Sequence, residues 1–98
     1  MIEYLYNGIR AHAGNHLTIS AVVTNQAGEE VTSGVELVLH DKDRDTMLYK
    51  AVGTYSEEAK EMTFVIPREI TKGKNGRYWY CFLQDGNSLC FKEPIYLV

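Results

Sequence analysis

The chain is poor in the residues that cross-link or coordinate: two cysteines, three histidines and two prolines. Two cysteines are too few for a disulfide scaffold or, on their own, a tetrahedral zinc site. No apolar run approaches the roughly 20 residues that span a bilayer. The opening "MIEYLYNGIR" lacks a basic stretch followed by an apolar one, so a signal peptide is not expected and synthesis in the cytoplasm is. Positive charge is short as well, with 10 Lys and Arg against 13 Asp and Glu. Nothing therefore draws the chain to phosphate backbones or anionic membranes, and neither nucleic acid nor membrane is an expected partner. Gly-x-Ser-x-Gly, a Walker loop and a dinucleotide fingerprint are all missing, so no enzyme and no cofactor are expected.

What is present describes a small globular domain. The 98 residues are 45% hydrophobic and 23% charged, enough to bury roughly 65% of the unfolded surface in one domain, 1–98. The dominant period is two, the signature of strands. In "HLTISAVVTN", Leu17, Ile19, Ala21 and Val23 alternate with Thr18, Ser20 and Thr24; in "VELVLHD", Val35, Leu37 and Leu39 alternate with Glu36, Val38 and His40. "TMLYKAVGTY", "EMTFVIP", "RYWYCFLQ" and "SLCFKEPIYLV" complete the set, and "IEYLY" adds a possible opening strand. The connectors "NQAGEE", "DKDRDT", "YSEEAKE", "PREITKGKNG" and "QDGNS" carry turn chemistry. Only "SEEAKE" and "PREITK" look helical, each for about one turn. The expectation is an all-β antiparallel sandwich of about seven strands.

The hairpin over residues 77–91 is the most informative stretch. Asp85-Gly86 suits a type I′ turn, which needs positive φ at both central residues. That turn sets Gln84 opposite Asn87, Leu83 opposite Ser88 and Cys81 opposite Cys90, on a non-hydrogen-bonded pair close enough to bridge. A longer loop puts Cys81 opposite Lys92 instead. In a cytoplasmic setting two reduced thiols are the expected state, and no Cys-x-x-Cys motif stands at a helix start for redox work. Tyr78, Tyr80 and Phe82 share one strand face; Trp79, Cys81 and Leu83 share the other. The Gly76-x-Tyr78 opening is similar to the tyrosine corner of immunoglobulin-like sandwiches, whose Tyr points inward. On that reading Trp79, Cys81, Leu83, Cys90 and Val38 form an outward apolar row, the kind of patch that marks interfaces. The alternative is that a local loop or the N-terminal segment covers Trp79. Tyr4 and Tyr6 on the opening strand are a second candidate docking surface.

Other constellations carry less. "HDKDRD" sets Asp41, Asp43 and Asp45 at alternate positions, as in the first half of an EF-hand loop, but Thr46 stands where the glycine belongs and Val52 where the bidentate Glu belongs. A solvated turn is expected. His12 and His16 have helical i, i+4 spacing in a stretch, "AHAGNH", that leads into a strand, and with His40 and the two cysteines they match no finger spacing. No metal site is expected.

Across nearly its full length the chain resembles the small immunoglobulin-like domains of tailed-phage and prophage virion proteins, as at the N-terminus of baseplate upper proteins. The resemblance lies in an order of cues: "HAGNHLTISAVVTNQAGEEV", then "SGVELVLHDKDRDTMLYK", then "MTFVIPREITKGKNGRYWYCFLQDGNSLCF", then "EPIYLV". It implies no catalytic or cofactor residues. It implies instead a virion structural protein, such as an auxiliary protein decorating the capsid lattice, with the major capsid protein or other virion proteins as partners and self-association in the particle possible. A tail or baseplate adaptor and a carbohydrate-binding or adhesion module are the other readings left open.

Overall fold

The computed structural model describes residues 2–5, 8–89 and 92–98. More than half of the described residues are in strands: β1 (Ile2–Leu5), β2 (Gly8–Ala11), β3 (Leu17–Ala21), β4 (Val35–His40), β5 (Met47–Val52), β6 (Thr54–Ser56), β7 (Glu61–Ile66), β8 (Gly76–Gln84), β9 (Asn87–Ser88) and β10 (Glu93–Leu97), with one helical turn among them, α1 (Arg68–Thr71). They form two sheets. The larger runs β1-β2-β10-β8-β4-β5 with β9 also on β8, and the smaller runs β3-β7-β6. Among the described residues all strand pairings are antiparallel except β2 with β10, so the large sheet is mixed.

Alternation builds the core. Leu17 and Ile19 of β3 and Met62, Phe64 and Ile66 of β7 meet Leu37 and Leu39 of β4 and Tyr78 and Tyr80 of β8 in one buried cluster. Phe82 packs on it, with its ring 5.3 Å from Phe64 and edge-on to Tyr80 at 5.8 Å. Tyr78, Tyr80 and Phe82 thus point inward, as their shared parity on β8 requires.

Three local features depart from the expected strands. "GIRA" forms β2, which the sequence reading left unassigned: only Ile9 and Ala11 show its buried parity, too short a run to register as a period. "TMLYKAVGTY" is two strands, because the chain crosses from the large sheet to the small one at Gly53, whose N–H donates to the Val35 carbonyl at 2.9 Å. "SEEAKE" is the tight turn between β6 and β7. "PREITK" does hold one helical turn, opened by Pro67.

The hairpin turn is as the sequence specifies. Asp85 (φ 49°) and Gly86 (φ 84°) are both left-handed, Gln84 faces Asn87 and Leu83 faces Ser88. Beyond it the ladder slips. Glu93 faces Tyr80 and Pro94 faces Trp79, so β10 sits two residues ahead of the hairpin register. Cys90 and Phe91 lie outside the described residues.

Candidate binding surface

The outward face of the large sheet is where the sequence places an apolar row, and the structure builds something different there. Trp79, Cys81 and Leu83 do share that face of β8, with Val38 directly opposite Cys81. Val38 and Cys81, however, are 1% and 4% exposed, so neither offers docking surface. The cause is their size. Each is flanked along its strand by longer side chains, and the His40–Trp79 and Glu36–Leu83 pairs bracket the Val38–Cys81 pair on the same face. Cys81 Sγ lies 3.6 Å from His40 Nε2. Burial lowers the His40 pKa, the Lys92 ammonium lowers it further, and the Asp45 backbone and the Asp43 and Asp45 carboxylates oppose them. A neutral imidazole against a buried sulfur is a packing arrangement, since a reactive thiolate needs an electropositive, partly open setting.

Trp79 is half-buried beneath cations. The Arg44 guanidinium lies 4.2 Å from its ring centroid and that of Arg77, two residues back on the same strand face, 5.0 Å. Such contacts are worth about 0.5–1 kcal/mol each at exposed sites. Arg44 comes from the 41–46 loop, the "DKDRDT" turn. There Asp43 accepts the backbone N–H groups of Asp45 and Thr46, each at 2.9 Å, and the Thr46 hydroxyl at 2.6 Å. These bonds hold the Asp43 carboxyl well below its ordinary value, at about 2. Both its oxygens are thereby committed to the turn. The loop also holds Arg44 at φ 69°, left-handed for a residue with a side chain, and Lys92 donates to the Arg44 carbonyl while lying 3.9 Å from the Asp45 carboxylate. The loop is thus a bracket that lays Arg44 on Trp79. Arg44 and Arg77 are the residues that sequence reasoning missed: interleaved charges read as a solvated turn, and only the fold brings position 44 over position 79.

The other candidates fall elsewhere. Tyr4, paired with inward-facing Ile9, turns toward the small sheet, where its hydroxyl accepts the Ser20 N–H of edge strand β3 at 2.9 Å. It does not join Trp79. Tyr6 and Cys90 lie outside the described residues. An open cleft of about 210 Å³ lies between Val22–Thr24 and the inner face of β8, edged by Leu89 and Glu93, below the roughly 300–1,000 Å³ of small-molecule sites. Among the described residues no three of His, Cys, Asp and Glu gather as a metal site, and no helix is long and apolar enough to cross a membrane. Comparison of the chain with protein-family models, curated proteins and solved structures returns no match.

Proposed function

We propose that the chain is a non-enzymatic, immunoglobulin-like structural protein of a tailed-phage virion, an auxiliary protein that docks on the capsid lattice through the Arg44–Trp79–Arg77 face. The observation that carries docking is the stack itself, a tryptophan on the outer face of the larger sheet with the guanidiniums of Arg44 and Arg77 4.2 and 5.0 Å from its ring centroid. Trp and Arg are the residue types most enriched at binding hot spots. A guanidinium stacked on a ring keeps its N–H edge available for a partner carboxylate. The immunoglobulin-like reading is supported by strand order, since β10-β8-β4-β5 facing β3-β7-β6 follows the G-F-C-C′ and B-E-D arrangement of variable-type sandwiches. Burial of Tyr78, two residues after Gly76, supports the likeness to their tyrosine corner.

Sugar stacking needs an open aromatic face, and the Trp79 face carries Arg44, so a carbohydrate-binding module fits less well. The test is co-sedimentation of the purified chain with particles of the virus that encodes it. Wild type binds to saturation. Trp79→Ala loses about 30-fold or more in affinity, the effect of a hot spot worth at least about 2 kcal/mol, while its melting transition stays cooperative. Equal binding by a folded Trp79→Ala variant removes this face from the interface, and a tail or baseplate adaptor role is read from saturation at a few copies per particle.

A further inference from the structure

The two ends of the sandwich carry opposite charge. Register fixes which loops share an end. Ser56 pairs with Glu61 beside the 57–60 turn, Thr24 bridges Glu30, and the Asp85 N–H donates to the Gly34 carbonyl, so these loops lie together. That end holds Glu29, Glu30, Glu57, Glu58, Glu61 and Asp85 against a single cation, Lys60. All but Glu61 are exposed. The Tyr55 hydroxyl donates to Glu30 at 2.6 Å, a bond that raises the Tyr55 pKa, and the charges of Glu30 and Glu57 add to the rise, which ties the two loops into one acidic patch.

At the other end His40 faces Met47 beside the 41–46 loop, Leu17 faces Ile66 just before α1, and Leu97 faces Gly76. Here Lys42, Arg44, Arg68, Lys72, Lys74 and Arg77 outnumber Asp41, Asp43, Asp45 and Glu69. Asp43 is turned onto its own loop and Asp45 lies by Lys92, leaving Arg68, Lys72 and Lys74 as the cations clear of that acidic loop. The nine residues of β8 set the ends about 30 Å apart at about 3.3 Å per residue. That is roughly three Debye lengths at 0.1 M salt, so one end does not neutralise the other within a molecule. Contact between two molecules removes that distance.

We infer that the occupant of the acidic end is the basic end of a second copy of this chain, in a head-to-tail contact. Such a contact uses different surfaces on the two partners and, unless its rotation closes a ring, propagates into an open chain of copies. The inference does not depend on the virion reading, because it is tested on the purified protein alone.

The experiment is sedimentation velocity across a range of protein concentrations. At about 0.02 M salt, where the Debye length exceeds 20 Å, the mean mass rises with concentration above the 11.2 kDa monomer; at about 0.5 M, where screening is within a few ångströms, it returns to the monomer. Two charge-reversed variants then decide the pairing. Lys72→Glu with Lys74→Glu makes both ends acidic, and Glu29→Lys with Glu57→Lys and Glu58→Lys leaves both ends net basic. Each alone is monomeric at low salt, with circular dichroism reporting the native fold, and an equimolar mixture associates again. A wild type that stays monomeric at every concentration at low salt overturns the inference. So does association that neither variant weakens, which would place the contact elsewhere, and so does salt-independent association.

Discussion

Replacing Gly53 by alanine tests the point where the chain leaves one sheet for the other. Gly53 has an ordinary negative-φ backbone, so any cost comes from space alone. A Cβ there falls 2.6 Å from Met62 Cε, 2.7 Å from Phe64 Cε1 and 3.0 Å from the Val35 carbonyl oxygen. Comfortable carbon contacts lie at about 3.5–4.0 Å, so two of these are short by about 1 Å. The Met62 terminus can rotate away. Phe64 has less room: it is fully buried, with its ring already against Phe82. The carbonyl is fixed by the hydrogen bond that Gly53 itself donates. Overpacking of this kind costs about 1–3 kcal/mol, which in a domain this small lowers Tm by about 4–8 °C per kcal/mol. Urea unfolding followed by fluorescence measures it as a lower midpoint at unchanged slope. Phe64→Leu in the same molecule should recover part of the loss, giving a coupling of at least about 0.5 kcal/mol. If Gly53→Ala changes stability by less than about 0.5 kcal/mol, or adds independently to Phe64→Leu, the crossover geometry is wrong.

Other perturbations probe the loop bracket and the buried pair. The His40 pKa is lowered in the fold, so the unfolded chain takes up its proton first; this part of stability is complete above the ordinary value near 6.5 and is lost as pH falls toward the folded pKa. His40→Gln should flatten the dependence of unfolding free energy on pH below about 6.5, and an unchanged slope would show that His40 is not the group responsible. Asp43 runs at lower pH, with its contribution present above the ordinary 3.8 and lost as pH falls through about 2. Because Trp79 is the sole tryptophan, its emission should shift to the red over that range, and Asp43→Ala should show the shifted emission already at neutral pH; emission unmoved in both cases would uncouple the loop from the ring. Tyr4→Phe removes the acceptor for the Ser20 N–H and should cost about 0.5–1.5 kcal/mol, read as faster amide exchange at Ser20 with β7 protection unchanged. Tyr80→Ala, which empties a buried site beside Phe82, should cost about 3–5 kcal/mol, and a loss below about 1 kcal/mol in urea unfolding would move Tyr80 out of the core.

Much of the fold was legible because its physics is local. The alternation in residues 17–23, 35–39 and 78–82 gives the buried faces directly, and Asp85-Gly86 gives the turn and its first two pairs. Strand β2 was missed because four residues carry almost no period, and its stability comes from lying between β1 and β10. The slip between Ser88 and Glu93 was hidden for a related reason: the hairpin turn and the β10 pairing each specify a register, and nothing local says that both are used, one after the other. The surface was harder still. Parity placed Trp79, Cys81, Leu83 and Val38 on the outer face, but parity does not report height, and the small members of that row are covered by the large ones. Arg44 reaches Trp79 across 35 positions of sequence, and the turn that carries it is specified by Asp43, whose role resembles any solvated Asp turn until its partners are seen.

On the proposal made above, this chain is a component of a particle, docked by its outer face in many copies. The most direct measurement is the molar ratio of this chain to the major capsid protein in purified virions, by quantitative mass spectrometry. The account predicts a fixed ratio set by the capsid lattice, and absence of the chain from the particles would contradict it.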